Sequence, residues 1–459
     1  MYFQQFYLTC LAHASYIIGS EGEACVVDPQ RDVSIYLDEA SARGLKIRHI
    51  IETHLHADFV SGHLELAERT GAKIYMGAAA DAPITHVPVR DGDEVKMGRV
   101  LLRFLETPGH TVESVCVLVT DLDRSPEPCA ILTGDTLFIG DVGRPDLSKE
   151  KTPQELAAML YDSLHGKLLK LADDIEVYPA HGAGSLCGKQ MRPERQSTIG
   201  KERAFNYALQ PRTKEEFVTL LTAELPERPA YFASDAELNR TGAHALSELP
   251  ELRPLQPSEL AARQKSGDVV LDTRPAVQFG AGHIPGALNI PLVGQFAPTA
   301  AAILGLDREI ILVAEDDDAA RESQIRLARV GIENAGGYLG GGMTEWAAAG
   351  HAVAQITQIS ADELRRELES DPASIQVVDV RRKPEWNSGH IPAAMHKPLD
   401  NLETLLADLD PKKPVIVHCK GGYRSAVGCS VIQRAGFEKV VNLTGGLDAW
   451  QSFGLPVTT

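Results

Sequence analysis

The C-terminal half of the chain contains an internal repeat, which limits the possible folds more than any other feature. Residues 269–292 read VVLDTRPAVQFGAGHIPGALNIPL, and residues 376–399 read QVVDVRRKPEWNSGHIPAAMHKPL. The matching Asp-x-Arg strings and the matching GHIP strings each lie 107 residues apart, and the GG…W string that ends at Trp346 recurs at Trp450. Two homologous domains of about a hundred residues therefore fill this half. Because domains span roughly 100–200 residues, the 459-residue chain has room for a further domain before them.

Each repeat alternates short β-rich runs with helical patterns. In the second repeat, strands are predicted at Gln376–Val380 and Val415–His418, and helices at Ala361–Glu369 and Ser425–Ala435. Continuous apolar runs such as 310–313 and 415–417 are typical of strands buried on both faces. The pattern predicts α/β domains with parallel sheets and helices on both faces.

The N-terminal half, roughly residues 1–245, does not share the repeat. Strand-like runs occur at Ala24–Asp28, Ile47–Thr53, Val100–Glu106, Ala130–Thr133 and Ile175–Tyr178. Four of these runs lead directly into polar clusters, which read THLHAD, TPGHT, TGDTLF and PAHG. Polar residues gathered at strand ends tend to build a site, so a functional site is predicted there.

Composition excludes several classes of protein. The chain has 45 Lys and Arg against 63 Asp and Glu, a formal charge of −18, which disfavours binding to nucleic acid or to an anionic membrane. No apolar run approaches the ~18–20 residues that span a bilayer. Residues 1–18 contain no lysine or arginine, so no secretory signal is visible. Seven cysteines without a CxxC pair do not suggest a disulfide framework, and we expect free thiols in the cytoplasm.

The polar clusters of the N-terminal half contain metal-ligand residue types. His54, His56 and Asp58 alternate along an extended segment and can face one point, and His110, Asp135 and His181 follow tight turns that contain Gly or Pro. Each histidine taken alone suits an ordinary core or loop position. Taken together at successive strand ends, the six residues predict a metal site.

This pattern resembles the metallo-β-lactamase superfamily, whose αββα sandwich carries a THxHxDH motif followed by further His, Asp and His ligands. The resemblance covers about the first half of the chain and implies a domain over residues 1–245. One position departs from the motif, because Asp58 is followed by Phe59 where the family has a histidine. Since that histidine helps to hold a second metal, its loss favours one metal over the two-zinc centre of a glyoxalase II-type hydrolase.

His54, His110 and Asp135 remain as two histidines and a carboxylate, the ligand set of non-haem Fe(II) oxygenases. The arrangement resembles the persulfide dioxygenases, the branch of the superfamily with mononuclear iron, and implies one Fe(II) per chain, although the same ligands would accept Mn, Co or Zn. The string GDVGRPDL at 140–147 is also similar to that branch. Around the ligands, orienting or proton-moving roles are expected for His56, Asp58, His181, Arg144 and Asp146. For Arg144 and Asp146, the alternative is an ion pair on a surface turn.

The second repeat carries the string VHCKGGYRS at 417–425, which leads from a buried strand into a helix. The two glycines allow backbone N–H groups to turn inward and form an anion-binding nest around Cys419. With Lys420 and Arg424 nearby, we expect Cys419 to have a lowered pKa and to react as a thiolate. The alternative is a small buried side chain. The predicted sulfur-binding loop comprises Lys420, Gly421, Gly422, Tyr423, Arg424 and Ser425.

The Asp-x-Arg, GHIP and cysteine-loop motifs together resemble the rhodanese superfamily of sulfurtransferases. Cys419 and Arg424 are separated by four residues, the tight loop expected for sulfur, whereas the related phosphatases need Cys-x5-Arg. The resemblance implies that Cys419 accepts a sulfane sulfur and passes it on, and that Asp379 and Arg381 support the loop. It also implies domains at 257–352 and 357–459, joined to the first domain by a linker at 246–256.

The first repeat departs from the rhodanese pattern at this loop. Ala314 stands where the second repeat has Cys419, and residues 315–318 are four consecutive acids. We therefore predict a catalytically silent domain. Elsewhere, Cys187 in GSLCGK is a possible second thiol near the metal site, because some dioxygenase–rhodanese fusions carry one. An ordinary buried cysteine is the alternative.

The whole chain resembles a persulfide dioxygenase–rhodanese fusion. The resemblance implies oxidation of a thiol persulfide by O2 to sulfite and thiol, and transfer of sulfane sulfur through Cys419 to give thiosulfate, which together detoxify sulfide. One alternative is a glyoxalase II-like zinc thioester hydrolase fused to a sulfurtransferase, and another is a sulfur-relay carrier. The carrier thiol could be glutathione, coenzyme A or another small thiol, and the direction of sulfur transfer stays open. A homo-oligomer is expected, as is usual in such families.

Overall fold

The computed structural model describes residues 1–223, 225 and 227–459 of the chain. Glu224 and Pro226, which fall in the first predicted domain, lie outside the described residues. The chain divides into two compact units. The first unit comprises residues 1–249 and 328–332, and the second comprises residues 250–327 and 333–459.

The first unit is built mainly from two mixed six-stranded sheets. Its strands are β1 (Tyr2–Leu8), β2 (His13–Ser20), β3 (Glu23–Val27), β4 (Lys46–Ile51), β5 (Lys73–Gly77), β6 (Val87–Val89), β7 (Glu94–Met97), β8 (Val100–Glu106), β9 (Val115–Asp121), β10 (Ala130–Gly134), β11 (Leu137–Phe138), β12 (Asp141–Val142), β13 (Glu176–Pro179) and β14 (Ser197–Thr198). One sheet has the order β1-β2-β3-β4-β5-β6 and the other β14-β13-β10-β9-β8-β7, while β11 and β12 form a small hairpin.

Helices cover the outer faces of these two sheets. They are α1 (Ser34–Ala42), α2 (His63–Thr70), α3 (Pro153–Gly166), α4 (Ile199–Phe205) and α5 (Lys214–Thr222), whereas α6 (Phe232–Thr241) contacts the loop after β4 through Asn239. The helices α1 and α2 pack on the first sheet, and α3, α4 and α5 pack on the second.

Strand β9 shows why the sequence forms this sandwich. All seven of its residues are buried, and successive side chains of a strand point to opposite faces. Val115, Val117 and Val119 enter the core between the two sheets, whereas Cys116 and Leu118 enter the core beneath α3 and α5. Because both faces of the strand are covered, the αββα sandwich predicted for this half is confirmed.

The first repeat forms a five-stranded parallel sheet with helices around it. Its elements are β15 (Arg253–Leu255), α7 (Pro257–Lys265), β16 (Val269–Asp272), α8 (Ala276–Ala281), β17 (Leu288–Asn289), α9 (Phe296–Leu304), β18 (Ile310–Val313), α10 (Asp317–Ala328), β19 (Ala335–Leu339) and α11 (Gly342–Ala348). The strand order is β15-β19-β18-β16-β17, and every pair is parallel.

The second repeat has the same topology. Its elements are β20 (Thr357–Ile359), α12 (Ala361–Ser370), β21 (Gln376–Asp379), α13 (Lys383–Asn387), β22 (Ala394–His396), β23 (Val415–His418), α14 (Tyr423–Arg434), β24 (Val440–Leu443) and α15 (Gly446–Ser452), with 3-10 turns over Leu399–Asp408 where the first repeat has α9. The order β20-β24-β23-β21-β22 is again all parallel. The prediction of two parallel α/β domains is confirmed.

The repeated Asp-x-Arg motif has the same structural task in both domains. Arg381 forms a buried ion pair with Asp379 and donates a hydrogen bond to the Gly389 carbonyl at 2.8 Å. Arg274 does the same with Asp272 and the Gly282 carbonyl, although its domain lacks the cysteine. In each domain, the same contact therefore joins the end of the strand to the GHIP turn.

The predicted linker at 246–256 contains regular structure. Residues 246–248 form a 3-10 turn, and Arg253–Leu255 form the edge strand β15, which pairs with β19. Three prolines within residues 250–260 suggested a linker, but an edge strand tolerates proline because one of its sides makes no ladder hydrogen bonds. Among the described residues, no helix is both long enough and apolar enough to cross a membrane.

Candidate metal centre and thiol loop

The candidate metal ligands come from strand ends at one edge of the sandwich. His54 follows β4, His110 follows β8, and Asp135 directly follows β10. The loops there pass close to one another: a Cβ on Gly143 would lie 2.1 Å from the Asp135 carbonyl oxygen and 2.8 Å from His110 Nδ1. Only glycine fits at that position, so the packing of backbone segments sets the ligand positions.

The structure brings these three predicted ligands together. Asp135 Oδ2 lies 3.4 Å from His110 Nε2 and 3.7 Å from His54 Nε2, and all three side chains are buried. None of the three atoms has a hydrogen-bond partner among the described residues. Buried polar atoms without partners are costly, and a metal ion satisfies all three at once. The donor set fits a non-haem metal site with two histidines and one carboxylate.

The other polar atom of each candidate ligand is held by a hydrogen bond. His54 Nδ1 lies 3.0 Å from Thr53 Oγ1, His110 Nδ1 lies 3.0 Å from the Arg144 carbonyl oxygen, and Asp135 Oδ1 lies 2.7 Å from His181 Nδ1. Such contacts orient metal ligands. Burial holds the pKa of His54 well below its usual value and also lowers that of His110, which favours the neutral imidazoles that bind metal.

His56 lies beside this group, where the structure places it against two carboxylates. His56 Nε2 is 3.2 Å from Asp28 Oδ1 and 3.3 Å from Glu52 Oε2. Burial opposes a charge on His56, but the two carboxylates outweigh burial and raise its pKa well above the usual value. Asp28 also accepts hydrogen bonds from the backbone and hydroxyl of Thr53, which contacts His54. His56 therefore reaches the candidate ligands through Asp28 and Thr53.

Asp58, His181 and Cys187 form a second group of ligand-type side chains. His181 lies between two carboxylates, with Nε2 3.0 Å from Asp58 Oδ2 and Nδ1 2.7 Å from Asp135 Oδ1. These charges outweigh burial and raise the pKa of His181 to about 10. Burial and the neighbouring carboxylates raise the pKa of Cys187 well above its usual value. The thiol lies close to Asp135, and its function stays a prediction.

Arg144 and Asp146 form a two-point ion pair, with distances of 2.6 and 2.7 Å. The Arg144 side chain is buried, so the pair differs from the surface ion pair that was the alternative reading. Arg144 contacts His110 through its backbone carbonyl, and its guanidinium binds Asp146 and the Leu186 carbonyl. The pair thus stiffens the loop behind a candidate ligand.

Phe59 occupies the position where the family motif has a histidine. Its ring is fully buried and lies 4.1 Å from the ring of His13 and 4.4 Å from that of His56, measured between centroids. Sequence reasoning missed His13, which is buried and lies 5.4 Å from His181. It also missed Asp28 and Glu52. Asp28 ends a strand-like run, so the rule that selected the other strand ends could have identified it.

Cys419 is buried at the end of β23, in the predicted loop that leads to α14. Its Sγ accepts a hydrogen bond from the Gly422 N–H at 3.1 Å and lies 3.7 Å from Ser425 Oγ. The Cys419 carbonyl accepts the Leu447 N–H of α15. A Cβ on Gly446 would lie 2.4 Å from that same carbonyl oxygen, so α15 approaches the loop as closely as glycine allows.

The two cations of the loop differ in their surroundings. Lys420 is exposed. Arg424 is partly buried and donates two hydrogen bonds to Glu385 of α13, at 2.6 and 2.7 Å. Tyr423 is the first residue of α14, and burial raises its pKa to about 12. Sequence reasoning missed Glu385, because the pairing joins two segments that are 39 residues apart.

The corresponding loop of the first repeat contains no thiol. Ala314 follows β18, and the acidic run leads into α10, with Asp317 and Asp318 in its first turn. Asp316, just before the helix, accepts a hydrogen bond from the Ala319 N–H. Acidic side chains in the first turn of a helix interact favourably with the helix dipole, so these acids stabilise the start of α10. The finding suits the predicted silent domain.

Comparisons with known proteins find two families along the chain. The profile of the Metallo-beta-lactamase superfamily matches residues 8–181, and the profile of the Rhodanese-like domain matches residues 256–349 and 360–453. A crystal structure of a metallo-beta-lactamase from Staphylococcus aureus is 33% identical with a TM-score of 0.66, and the alignment covers 74% of this chain and 98% of that one. A crystal structure of ETHE1 from Myxococcus xanthus is 30% identical, covering 53% of this chain and 100% of that one, with a TM-score of 0.46.

The chain is also similar to curated relatives over about a third of its length. A hydroxyacylglutathione hydrolase from Francisella tularensis subsp. novicida is 33% identical over 172 residues, which is 37% of this chain and 63% of the relative. Another from Polaromonas is 33% identical over 35% of this chain and 57% of the relative. The chain therefore spans less than two thirds of the length of these relatives.

Proposed function

The chain belongs to the metallo-beta-lactamase superfamily and carries two rhodanese-like domains, and on that premise we propose that it oxidises thiol persulfides with O2 and transfers sulfane sulfur through Cys419. The overall oxidation converts R–S–SH, O2 and water to R–SH, sulfite and two protons. The single observation that carries the proposal is the meeting of His54, His110 and Asp135, whose ligand atoms are buried and unpartnered among the described residues. Phe59, whose ring lies against that of His56, supports one metal rather than two.

In this proposal, His54, His110 and Asp135 hold one Fe(II) per chain. When bound, Fe(II) supplies coordination positions for a soft persulfide sulfur and for O2, together with the electrons that activate oxygen. His181 holds a proton between Asp58 and Asp135, at the edge of the candidate ligand set. Because the oxidation releases two protons, this carboxylate–imidazole chain is placed to take one of them away.

The thiol loop then performs group transfer. The Cys419 thiolate attacks the terminal sulfur of a second persulfide, R–S–SH, and the R–S⁻ thiolate leaves with the electron pair of the broken S–S bond. Sulfite next takes the sulfane sulfur from Cys419–S–SH, which releases thiosulfate and a proton and restores the thiolate. The Gly422 N–H, which donates to Sγ, stabilises negative charge on that sulfur.

A small thiol carries the persulfide in this proposal. Relatives of the N-terminal half are named hydroxyacylglutathione hydrolases, so glutathione persulfide is the first donor to test and coenzyme A persulfide the second. All seven cysteines are unpaired thiols, so a reducing, cytoplasmic compartment is part of the proposal, as is a homo-oligomer.

Oxygen uptake by the iron-loaded full chain tests this function. Glutathione persulfide is added, and sulfite and thiosulfate are assayed in the same vessel. We expect uptake with thiosulfate as the main product. No uptake by protein that is shown to hold iron would overturn the dioxygenase proposal.

A second candidate function for the metal site is supported by a specific observation. The names of the curated relatives and the extra group of Asp58, His181 and Cys187 both suit a zinc thioester hydrolase. The zinc-loaded chain is therefore assayed in parallel for cleavage of an acylglutathione thioester. Rapid thioester cleavage without persulfide-dependent oxygen uptake would favour the hydrolase.

A further inference from the structure

The strongest unassigned feature of the thiol loop is the carboxylate that holds its arginine. Glu385 Oε2 lies 2.6 Å from Arg424 Nη1, and Oε1 lies 2.7 Å from Nη2. This two-point geometry fixes the guanidinium plane and cancels its charge locally. The hydrogen bonds to Glu385 raise the pKa of Arg424. In the described structure, Arg424 is thus committed to Glu385 and is not directed at an incoming anion.

The surroundings of the loop add little further positive charge. Lys420 is exposed, so water and salt screen it. Asp448 of α15 places Oδ2 3.9 Å from the position that a Cβ on Gly421 would take. Asp448 is exposed as well, so its carboxylate is screened in the same way as Lys420. With Arg424 neutralised by Glu385, the side chains around the loop give a doubly charged donor little attraction beyond the Gly422 N–H.

The first repeat provides a natural comparison. Its residue at the position of Glu385 is Gln278, whose Nε2 donates to Glu315 Oε1 at 2.6 Å. With Ala314 at the position of Cys419, Glu315 stands at the position of Lys420 and Ala319 at that of Arg424. Where the arginine is absent and the loop is acidic, the carboxylate is thus replaced by an amide that contacts one of the acids. The charge at this position therefore differs between the two repeats in step with the charge of the loop it touches.

We propose that Glu385 is a positioning residue that sets donor specificity, because it holds and neutralises Arg424 so that the loop favours an organic persulfide over thiosulfate. The inference rests on the proposed sulfur transfer through Cys419. It also bears on direction, because a loop that binds thiosulfate weakly releases it readily as a product.

The two donor reactions differ in charge. With a persulfide whose R group is neutral, such as that of 2-mercaptoethanol, Cys419–S⁻ and R–S–SH give Cys419–S–SH and R–S⁻, and one negative charge is present throughout. With thiosulfate, Cys419–S⁻ and S–SO3²⁻ give Cys419–S–S⁻ and SO3²⁻, and three negative charges are present throughout. The S–S bond to the leaving group breaks in both cases, and the electron pair leaves with the thiolate or the sulfite. Only the second reaction gathers three charges at the loop.

The test compares wild type and E385Q as full chains. The rate at which the peptide containing Cys419 gains one sulfur is measured by rapid quenching and mass spectrometry, with thiosulfate and with the persulfide of 2-mercaptoethanol. We expect E385Q to load about tenfold faster from thiosulfate, through tighter donor binding, and to change by less than about twofold with the persulfide. E385D keeps the charge and should keep the wild-type preference.

The control is E369Q, which removes the carboxylate of another arginine–glutamate pair in the same domain, Arg365–Glu369. It should leave both rates unchanged. Gln278 shows that this fold accepts glutamine at the position, so E385Q is expected to fold. Equal losses with both donors, or a thiosulfate gain in E385D as large as in E385Q, would overturn the inference. A wild type that gains sulfur from neither donor would instead overturn the proposed transfer itself.

Discussion

Individual side chains at the candidate metal centre have separable tasks. His110 Nε2 and Asp135 Oδ2 are buried and point to one position. No described residue makes a hydrogen bond to either atom. Cys419 belongs to a different domain with its own chemistry. Substitution at one site should therefore leave the other activity intact.

Substituting a candidate metal ligand tests this separation. His110→Ala or Asp135→Ala should lower iron content and reduce persulfide-dependent oxygen uptake by about a hundredfold, because one of three ligands is lost. Sulfur transfer from thiosulfate through Cys419 should stay within about twofold of wild type. Iron analysis, an oxygen electrode and a sulfurtransferase assay check the result. Equal loss of both activities would contradict the assignment of separate sites.

The Glu385–Arg424 pair makes a prediction about pH. Burial opposes ionisation of Glu385, but hydrogen bonds and charge from Arg424 outweigh burial and hold its pKa below the usual value. Because the folded pKa is lowered, the stabilisation is present above the unfolded pKa and is lost as pH falls through the folded value. At pH 7, E385Q should be less stable than wild type by about 0.5–1 kcal/mol in the free energy of unfolding. The gap should close as the pH falls below the usual pKa range of a glutamate. Calorimetry at several pH values measures the gap, and a gap independent of pH would refute the electrostatic origin.

At the scale of elements, the sequence predicted the strands better than the contacts between them. The runs at 47–53, 100–106, 130–133 and 175–178 contain β4, β8, β10 and β13 in nearly the predicted positions, because buried strands need continuous apolar residues. The polar clusters after them could be predicted to meet, since strand ends gather at the edge of a sheet.

The remaining parts of the site depend on contacts that no local pattern encodes. The approach of Glu52 and Asp28 to His56 depends on how β3 and β4 pair, and the Glu385–Arg424 contact depends on the packing of α13 beside α14. The edge strand β15 was hidden in a segment with linker-like composition, because only its partner β19 makes it a strand. Tertiary packing supplied these contacts.

The close packing of strand-end loops gives a prediction for Gly143. A Cβ there would lie 2.1 Å from the Asp135 carbonyl oxygen, so Gly143→Ala must push two ligand-bearing loops apart. We expect a loss of about 1–3 kcal/mol in the free energy of unfolding of this domain, with lower iron content. Gly166→Ala is the matched control, because no atom lies within 4 Å of the corresponding Cβ position. Equal iron content in both variants would show that the loops tolerate the displacement.

At the scale of the whole molecule, the proposed function places two reactions in order on one chain. The proposed first site makes sulfite, and the proposed second site consumes sulfite together with a second persulfide. If the sites act in this order, Cys419→Ser removes only the consumption of sulfite. Serine lacks the thiolate but nearly preserves the size of the side chain, so the buried loop should keep its structure.

Cys419→Ser should therefore leave oxygen uptake within about twofold of wild type, while sulfite replaces thiosulfate as the main product. The assay supplies preformed glutathione persulfide, so that the first reaction does not depend on sulfur released by the second. Cys429→Ser serves as the control, because Cys429 is buried in the middle of α14 and is not part of the loop. If Cys419→Ser abolished oxygen uptake with preformed persulfide, the metal centre would depend on the thiol for chemistry, and a sequence of two independent reactions would be wrong. If thiosulfate still formed at the wild-type rate, sulfur would reach sulfite without Cys419, and another thiol such as Cys187 would have to be tested as the carrier.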